Sequence, residues 1–472
     1  MAAAAARGGP KLISRLYGHH TKEINDALYV DDVDGGDDGG IISIGEDKQL
    51  LIWLKRDSGG YWPSVHEELP APATALAFDG KDRKAYIGLA TGVVLIYSIQ
   101  GDFNACTYID AIPAHKGRVT GLRVDNGREF LVSCSRDKTV ALHSLRSLQS
   151  ISVYPLPSWA NDLDYDDKGP NIFVGDYGGR VHVLKLDKHQ QIVPIVPLEG
   201  HSGSIKTVLW VRSEGMLYTG STDKTIRMWD IGSCKGECFV LRGQKGSIDG
   251  LAYSAQTKQL IAAGSDKKLL VWNVGNDHWQ MPPVWNKADN CEACGVAFFW
   301  NFEKMWQDRK LQVNRQHHCR YTGKAVCDTC SPTRTTITTM GFELPVRICK
   351  EAEPMITEED KLPRAKAFPL GNTCTFTRLT TMGAEQVLMS GSTAGEICVW
   401  SMGIDVLSAG GLAVGAAEEE LREAQADVQA KVSGFEGAVA DTGDEDRVAH
   451  TEVYDRGYDD GASADLLSTL DE

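Results

Sequence analysis

The sequence contains no long apolar run, and none of its runs approaches the roughly 18 to 20 residues that would span a bilayer. Its start, Met1 to Pro10, also lacks the extended apolar core of a secretory signal. We therefore expect neither an integral membrane protein nor a secreted one. The chain has 472 residues, 42% hydrophobic and 24% charged, which is enough to bury several cores.

The chain also has no excess of basic residues over most of its length. Its formal net charge is -15, and residues 404–472 alone carry 18 of the 64 acidic side chains but only 4 of the 49 basic ones. The nearly neutral body argues against nucleic-acid binding, which needs a basic surface to face the phosphates. Residues 404–472 are rich in Gly, Ala and acidic residues, so we expect an acidic, mostly disordered tail.

One motif recurs along the chain at nearly constant spacing. It can be aligned on the position that tryptophan often holds, and the aligned residues are Trp53, Tyr97, His143, Leu184, Trp229, Trp272 and Trp400. The first six are 41 to 46 residues apart, a length typical of four-stranded repeats of about 40 to 45 residues. The last gap is 128 residues, so an insertion of about 85 residues precedes the final repeat.

The repeats resemble the WD40 repeat of β-propellers, most clearly in the fifth, which opens with Gly200-His201 and ends with Trp229-Asp230. The resemblance implies a mostly β fold with seven blades and a buried hydrogen-bonded network, here His201, Thr219, Asp223 and Trp229. We interpret this set as structural and not catalytic because it recurs at one spacing in several repeats. The run Lys11 to Leu16 is expected to supply the outer strand of the last blade and close the ring.

The insertion carries six of the 12 cysteines. Two pairs at C-x-x-C spacing, Cys291 with Cys294 and Cys327 with Cys330, can turn four thiolates toward one tetrahedral zinc ion. In a domain of about 70 residues such a metal replaces much of the missing core. The clustering also indicates a reducing compartment, in which cysteines bind metal and do not form disulfides.

A second motif surrounds the third cysteine of the insertion. The run Arg315-Gln-His317-His318-Cys319-Arg320, with Trp285 before it and Arg347-Ile-Cys349 after it, resembles the FYVE zinc finger, a reader of phosphatidylinositol 3-phosphate on endosomes. The resemblance implies a small zinc-bound α+β finger whose lipid-binding residues are Arg315, His317, His318, Arg320 and Arg347. Arginine suits this task because its planar fork holds phosphate at two points, whereas histidine adds charge as the pH falls.

Two apolar residues stand among basic ones just before this run. Leu311 and Val313 follow Arg309 and Lys310, a pattern that favours insertion of the apolar side chains into the lipid interface while the charges meet anionic head groups. Packing within a loop is the alternative.

The finger departs from the family at its second zinc site. The second cysteine pair reads Cys319-x-x-Thr322 and the fourth reads Cys349-x-x-Ala352, so both missing ligands belong to one site. This coincidence favours one bound zinc ion and the loss of the other. The alternative is a substitute ligand from His317, His318, Glu351 or Glu353. Without the second metal, we expect the lipid pocket to be less preorganised.

These patterns divide the chain into propeller blades 1–6 in 11–283, a FYVE-type finger in 284–352, blade 7 in 366–403 and the acidic tail in 404–472. A propeller with this finger before its last repeat is similar to the endosomal WD-repeat and FYVE-domain proteins. The resemblance implies a non-enzymatic, cytoplasmic adaptor that is peripheral on early endosome membranes and binds signalling proteins such as kinases. Self-association into a homo-oligomer would add avidity.

Two alternatives remain at the level of sequence. One is a scaffold whose degenerate finger keeps one zinc ion and binds no lipid. The other is a RING-like ubiquitin ligase, against which stand the arginine-flanked His-His-Cys run and the lack of a Cys-x-His between the cysteine pairs.

Overall fold

The computed structural model describes residues 10–31, 39–56, 60–232, 238–275, 279–298, 315–382 and 385–402. Within these ranges the chain forms seven four-stranded antiparallel sheets and two two-stranded ones. The seven larger sheets are the blades of a propeller, which confirms the predicted fold. No helix in the described ranges is long and apolar enough to cross a membrane. Leu311, Val313 and the tail, 404–472, lie outside the described residues.

Each blade is built from four strands, here given from the inside outward. Blade 1 consists of Ile24–Val30, Gly40–Gly45, Gln49–Lys55 and Tyr61–Glu68; blade 2 of Ala73–Asp79, Lys84–Leu89, Val93–Ile99 and Cys106–Pro113; blade 3 of Val119–Asp125, Phe130–Ser135, Thr139–Ser144 and Ser150–Pro155; and blade 4 of Ala160–Tyr165, Asn171–Asp176, Arg180–Leu186 and Ile192–Glu199. Blade 5 consists of Ile205–Val211, Met216–Ser221, Ile226–Asp230 and Cys238–Leu241; blade 6 of Ile248–Ser254, Gln259–Gly264, Lys268–Asn273 and Ala365–Pro369; and blade 7 of Cys374–Met382, Glu385–Ser392, Ile397–Ser401 and Lys11–Leu16.

The finger has smaller elements of its own. Its strands pair as His317–His318 with Ala325–Val326 and as Arg334–Ile337 with Phe342–Arg347. Single-turn 3-10 helices occur at Asp328–Cys330, Thr338–Met340, Glu353–Met355 and Glu359–Lys361, and one more lies in blade 5 at Arg212–Glu214.

Neighbouring blades share their apolar cores. Ile42 of blade 1 and Ile87 of blade 2, for example, are fully buried in one cluster. The ring is closed by the N-terminal strand Lys11–Leu16, which pairs antiparallel with Ile397–Ser401. This is the closure expected from the sequence, and it pairs what would otherwise be a free outer edge of the last blade.

The finger interrupts the sixth blade. It leaves after the strand Lys268–Asn273 and returns at Ala365–Pro369, and these two strands pair antiparallel. The finger therefore precedes the last repeat, as predicted, but residues 366–369 belong to blade 6 and not to blade 7, which begins at Cys374. The reason is that each repeat supplies the outer strand of the preceding blade, so repeats and blades are offset by one strand.

The signature residues of the repeats are joined by buried hydrogen bonds. In blade 5, His201 Nδ1 lies 2.8 Å from Asp223 Oδ2, His201 Nε2 lies 2.8 Å from Thr219 Oγ1, and Trp229 Nε1 donates to the same hydroxyl at 2.9 Å. Blade 1 repeats the arrangement with His20, which selects it over the adjacent His19. These contacts fix the turns of the blades that carry them and account for the recurrence of the motif.

Replacing Thr219 with valine is expected to lower the free energy of unfolding by about 2–4 kcal/mol, because the indole N–H of Trp229 loses its acceptor and His201 Nε2 loses its donor in a buried site. Denaturant unfolding of the intact chain measures this loss. Thr222→Val is the matched control, since Thr222 is exposed in the adjacent turn. Equal stabilities of the two variants would contradict the structural role of the network.

A belt of hydrogen bonds links most neighbouring blades near the central channel. Each inner strand has a β-bulge at its second residue. In five blades the bulged side chain donates to the first carbonyl of the next inner strand; the donors and acceptors are Asn25 to Ala73, Thr74 to Val119, Thr120 to Ala160, Asn161 to Ile205 and Thr375 to Ile24. Blades 5 and 6 carry Lys206 and Asp249 at this position instead.

The finger is seated against blade 5. Arg242, just after the outer strand Cys238–Leu241, donates its N–H to Gly341 O at 2.7 Å and accepts from Glu343 N at 2.9 Å. Gly341 has a φ of 77°, and a Cβ there would lie 2.2 Å from Val240 O, so this close approach requires glycine. The finger is thus held by backbone contacts as well as by its two connections to blade 6.

Candidate zinc centre and phosphate-binding surface

Four cysteines converge in the finger. Cys291, Cys294, Cys327 and Cys330 place one sulfur atom each within 4.8 Å of one another. Cys294 Sγ and Cys327 Sγ are 3.8 Å apart. A tetrahedral zinc ion with Zn–S distances of about 2.3 Å requires sulfur atoms about 3.8 Å apart, so the residues present fit zinc.

Tight turns aim these sulfur atoms at one point. Gly295 N donates to Cys291 O at 2.7 Å, with Gly295 at a φ of 72°, and Cys330 N donates to Cys327 O at 3.2 Å. Burial raises the pKa of the Cys291 thiol, but backbone N–H donors, first that of Cys327, outweigh it and lower the pKa to about 7. A sulfur that already accepts N–H bonds is favoured as a thiolate, which is the form that binds zinc.

The second cysteine cluster keeps its backbone turns but has only two of the four zinc ligands of the family. Gly323 N donates to Cys319 O at 2.9 Å with a φ of 75°, which repeats the turn at Gly295, and Ala352 N donates to Cys349 O at 3.0 Å. Thr322 Oγ1 lies 3.9 Å from Cys349 Sγ, where the family has a thiolate. The backbone of a two-zinc finger is therefore retained around a site with two sulfur atoms.

The substitute ligands considered from the sequence are engaged elsewhere. His317 lies beside Asp328, His318 Nε2 bonds Asn286 O, and the two glutamates contact Lys324 and Thr333. Among the described residues, the only group of three or more metal-binding side chains is the first cysteine cluster.

Packing takes the place of ligands at the second cluster. Cys319, Cys349 and Ala352 are 0% exposed and belong to the apolar core of the finger, and Cys349 N donates to Cys319 Sγ at 3.2 Å. We expected the loss of a metal to loosen the two basic segments. A backbone hydrogen bond joins these segments, since Arg320 N donates to Arg347 O at 3.0 Å, and the weaker preorganisation of the lipid pocket stays a prediction.

The five predicted lipid-binding residues divide into two contact groups and one exposed residue. In the first group, the rings of His318 and Trp285 stack with centroids 4.9 Å apart, and the Arg320 guanidinium lies 4.3 Å from the centroid of the same indole. The Trp285 side chain therefore orients both His318 and Arg320. Arg315, which precedes the strand His317–His318, is exposed.

The second group, Arg347 and His317, contacts a carboxylate that was not predicted from the sequence. Arg347 Nη1 donates to Asp328 Oδ1 at 2.7 Å, and His317 Nε2 lies 3.1 Å from the same oxygen. The hydrogen bond from Arg347 is the main cause that lowers the pKa of Asp328. The available signal was the acidic residue inside Cys327-x-x-Cys330, close in the sequence to the basic strand His317–His318.

Sequence comparisons agree with both modules. Residues 283–357 match the FYVE zinc finger, and residues 106–144, 192–230 and 235–273 match the WD domain, G-beta repeat. Human WD repeat and FYVE domain-containing protein 2 is 41% identical over 356 residues, which cover 75% of this chain and 87% of that protein. Mouse WD repeat and FYVE domain-containing protein 1 is 36% identical over 358 residues, which cover 75% and 84%.

The fold also has a counterpart among solved structures. The crystal structure of the WD40 β-propeller domain of Doa1 superposes with a TM-score of 0.55 at 12% sequence identity, covering 83% of this chain and 97% of that one. At this identity the likeness concerns the propeller fold alone.

Proposed function

Because the chain belongs to the WD repeat and FYVE domain-containing proteins, we propose that it is a non-enzymatic adaptor that joins proteins to membranes bearing phosphatidylinositol 3-phosphate. The finger binds the lipid head group, and the propeller binds proteins, with signalling proteins such as kinases as the proposed class. The proposed place of action is the cytoplasmic surface of early endosomes. Self-association supplies avidity where one finger binds weakly.

The pairing of Arg320 with Arg347 carries the lipid-binding proposal. Their segments are joined by a backbone hydrogen bond, so the two side chains start from adjacent points. Burial lowers the pKa of Arg320, the neighbouring Cys319 opposes this change, and the positive charge of Arg347 adds a smaller lowering. A phosphate monoester placed between them would relieve this repulsion and accept charge-assisted hydrogen bonds from both guanidinium groups.

We propose that one zinc ion supports this surface, held by Cys291, Cys294, Cys327 and Cys330. Its chemistry is structural: a closed four-thiolate site cross-links the segments before and after the basic strand His317–His318. The buried Cys319 and Cys349 act as small core residues in the place of the second site.

A second candidate function is a scaffold whose finger binds no lipid. The observation that favours it is Asp328, whose carboxylate already holds Arg347 and His317, two of the five proposed lipid-binding residues. Imaging of the tagged full chain in living cells separates the two functions. The adaptor should form endosomal puncta that disperse when phosphatidylinositol 3-kinase is inhibited, whereas a diffuse signal before and after inhibition favours the scaffold.

Replacing Asp328 with asparagine is expected to strengthen binding to phosphatidylinositol 3-phosphate vesicles about three- to tenfold, because the exposed carboxylate that competes with the phosphate for Arg347 is removed. The lowered pKa of Asp328 keeps the wild-type carboxylate ionised, so the gain should hold at every pH above its ordinary pKa of about 3.9. Vesicle flotation measures it, with Glu351→Gln as the control acid elsewhere in the finger. Equal or weaker binding of Asp328→Asn would show that the carboxylate does not compete.

A further inference from the structure

The seven blades place one residue pair each at equivalent points around the mouth of the central channel. In every blade, the residue after the second strand donates its N–H to the carbonyl of the residue before the inner strand, with N···O distances of 2.8 to 3.2 Å. We call these pairs the mouth ring. From blade 1 to blade 7 they are Glu23 and Glu46, Pro72 and Ala90, Arg118 and Arg136, Trp159 and Tyr177, Ser204 and Thr222, Ser247 and Ser265, and Thr373 and Thr393.

Because the backbone hydrogen bond of the mouth ring is the same in every blade, the side chains at these positions can be compared from one blade to the next. Blades 5 to 7 form the same hydrogen bond with small hydroxyl residues, so the fold does not require a large side chain at these points. Blade 4 nevertheless carries Trp159 and Tyr177, which are 46% and 59% exposed. Their rings contact each other with centroids 5.4 Å apart. Exposed aromatic pairs that the fold does not need are typical of contact surfaces.

Positive charge flanks this aromatic pair on both sides. In blade 3, Arg118 forms a salt bridge with Glu46, but the side chain of the exposed Arg136 has no hydrogen-bond or salt-bridge partner within the described ranges. In blade 5, the bulged Lys206 is exposed and likewise lacks such a partner among the described side chains. Both residues line the central cavity. The acidic residues Glu23 and Glu46 of blade 1 line the same cavity: Glu46 is paired with Arg118, and Lys206 has Glu23 and Asp249 as electrostatic neighbours.

We infer that Trp159 and Tyr177, with Arg136 and Lys206, form a docking site on the propeller for a peptide that carries a large apolar side chain between acidic residues. The apolar side chain packs on the two aromatic rings, and the carboxylates pair with the flanking cations. This inference deepens the proposed adaptor function, because it names the surface by which the propeller takes its partner and the chemistry of that partner.

A selection experiment tests the inference without a known partner. A phage-displayed library of random 12-residue peptides is selected on the intact protein, and the enriched peptides are synthesised with a fluorescent label. Their affinities are then measured for the wild type and for Trp159→Ala, Arg136→Glu and Thr222→Ala. The last variant is the matched control, because Thr222 occupies the mouth-ring position of Tyr177 in blade 5. Thermal unfolding confirms that each variant is folded.

The inference predicts enriched peptides with Asp or Glu on both sides of Leu, Ile, Phe or Trp. Trp159→Ala and Arg136→Glu should each weaken them at least tenfold, and Thr222→Ala should leave them unchanged. Enrichment of basic or purely polar peptides, no enrichment, or equal binding to Trp159→Ala would overturn it. Vesicle binding by Trp159→Ala should equal that of the wild type, so failure of lipid binding would count against the adaptor function and not against this site.

Discussion

Replacing Cys327 with serine is expected to release the zinc ion, unfold the finger and abolish binding to phosphatidylinositol 3-phosphate vesicles. Cys327 Sγ lies 3.8 Å from Cys294 Sγ, so its replacement leaves only three of the four thiolates of the site. Structural zinc contributes about 10–16 kcal/mol in isolated fingers, which exceeds what the small core of the finger can replace. Elemental analysis gives the zinc content, and vesicle flotation gives the binding.

The matched control is Cys319→Ser, which also replaces a cysteine sulfur atom with oxygen, but at the second cluster. Because Cys319 is buried among apolar side chains beside Cys349, we expect it to cost some stability and leave one zinc ion per chain. Two zinc ions in the wild type, with one lost in Cys319→Ser, would contradict the one-zinc account. It would mean that the second cluster closes around metal in spite of Thr322 and Ala352.

Replacing Arg320 with alanine is expected to weaken binding to phosphatidylinositol 3-phosphate vesicles about 10- to 100-fold. The arginine is oriented by the Trp285 ring, so its charged group is positioned before the lipid arrives. Hydrogen bonds to charged groups contribute about 1.5–3 kcal/mol each, which corresponds to this range. Arg320→Lys should recover only part of the loss, because it keeps the charge but not the planar stacked fork.

Arg334→Ala is the control for the loss of one positive charge from the finger. Arg334 is exposed and pairs across the strands with Arg347, so it lies on the same hairpin without belonging to the proposed pocket. A small, salt-dependent effect is expected from it. If Arg320→Ala and Arg334→Ala weaken binding equally, the finger attracts anionic membranes by general charge and not by a built pocket.

The propeller was predictable from the sequence because its stabilising contacts are local and repeated. His201, Thr219, Asp223 and Trp229 come from one repeat, and their spacing follows from the length of three strands and the two turns between them. The first zinc site was predictable for the same reason, since each C-x-x-C pair forms a single turn. The boundary of blade 6 was not, because the strand Ala365–Pro369 is more than 90 positions from its partner Lys268–Asn273.

The remaining differences depend on contacts between distant segments. Two contacts join residues of different elements and are marked by no local sequence pattern. They are the close approach of Gly341 to Val240 and the backbone hydrogen bond from Arg320 to Arg347. The loss of zinc ligands was visible, but its structural outcome was not. Cys319, Cys349 and Ala352 are small enough to pack closely, so the finger retains its turns around the second cluster.

The most direct test of the account is head-group discrimination by the intact protein. Flotation is compared between vesicles that contain phosphatidylinositol 3-phosphate and vesicles of equal charge that contain phosphatidylinositol 4-phosphate, at physiological salt. We predict binding to the first and at least tenfold weaker binding to the second, because the Arg320 guanidinium is positioned on the Trp285 ring and Arg347 Nη1 is held by Asp328 and by Ser331 O, so that both donors have fixed places. Equal binding to both vesicles, or binding to neither, would contradict the proposed lipid recognition and leave the propeller as the functional part of the protein.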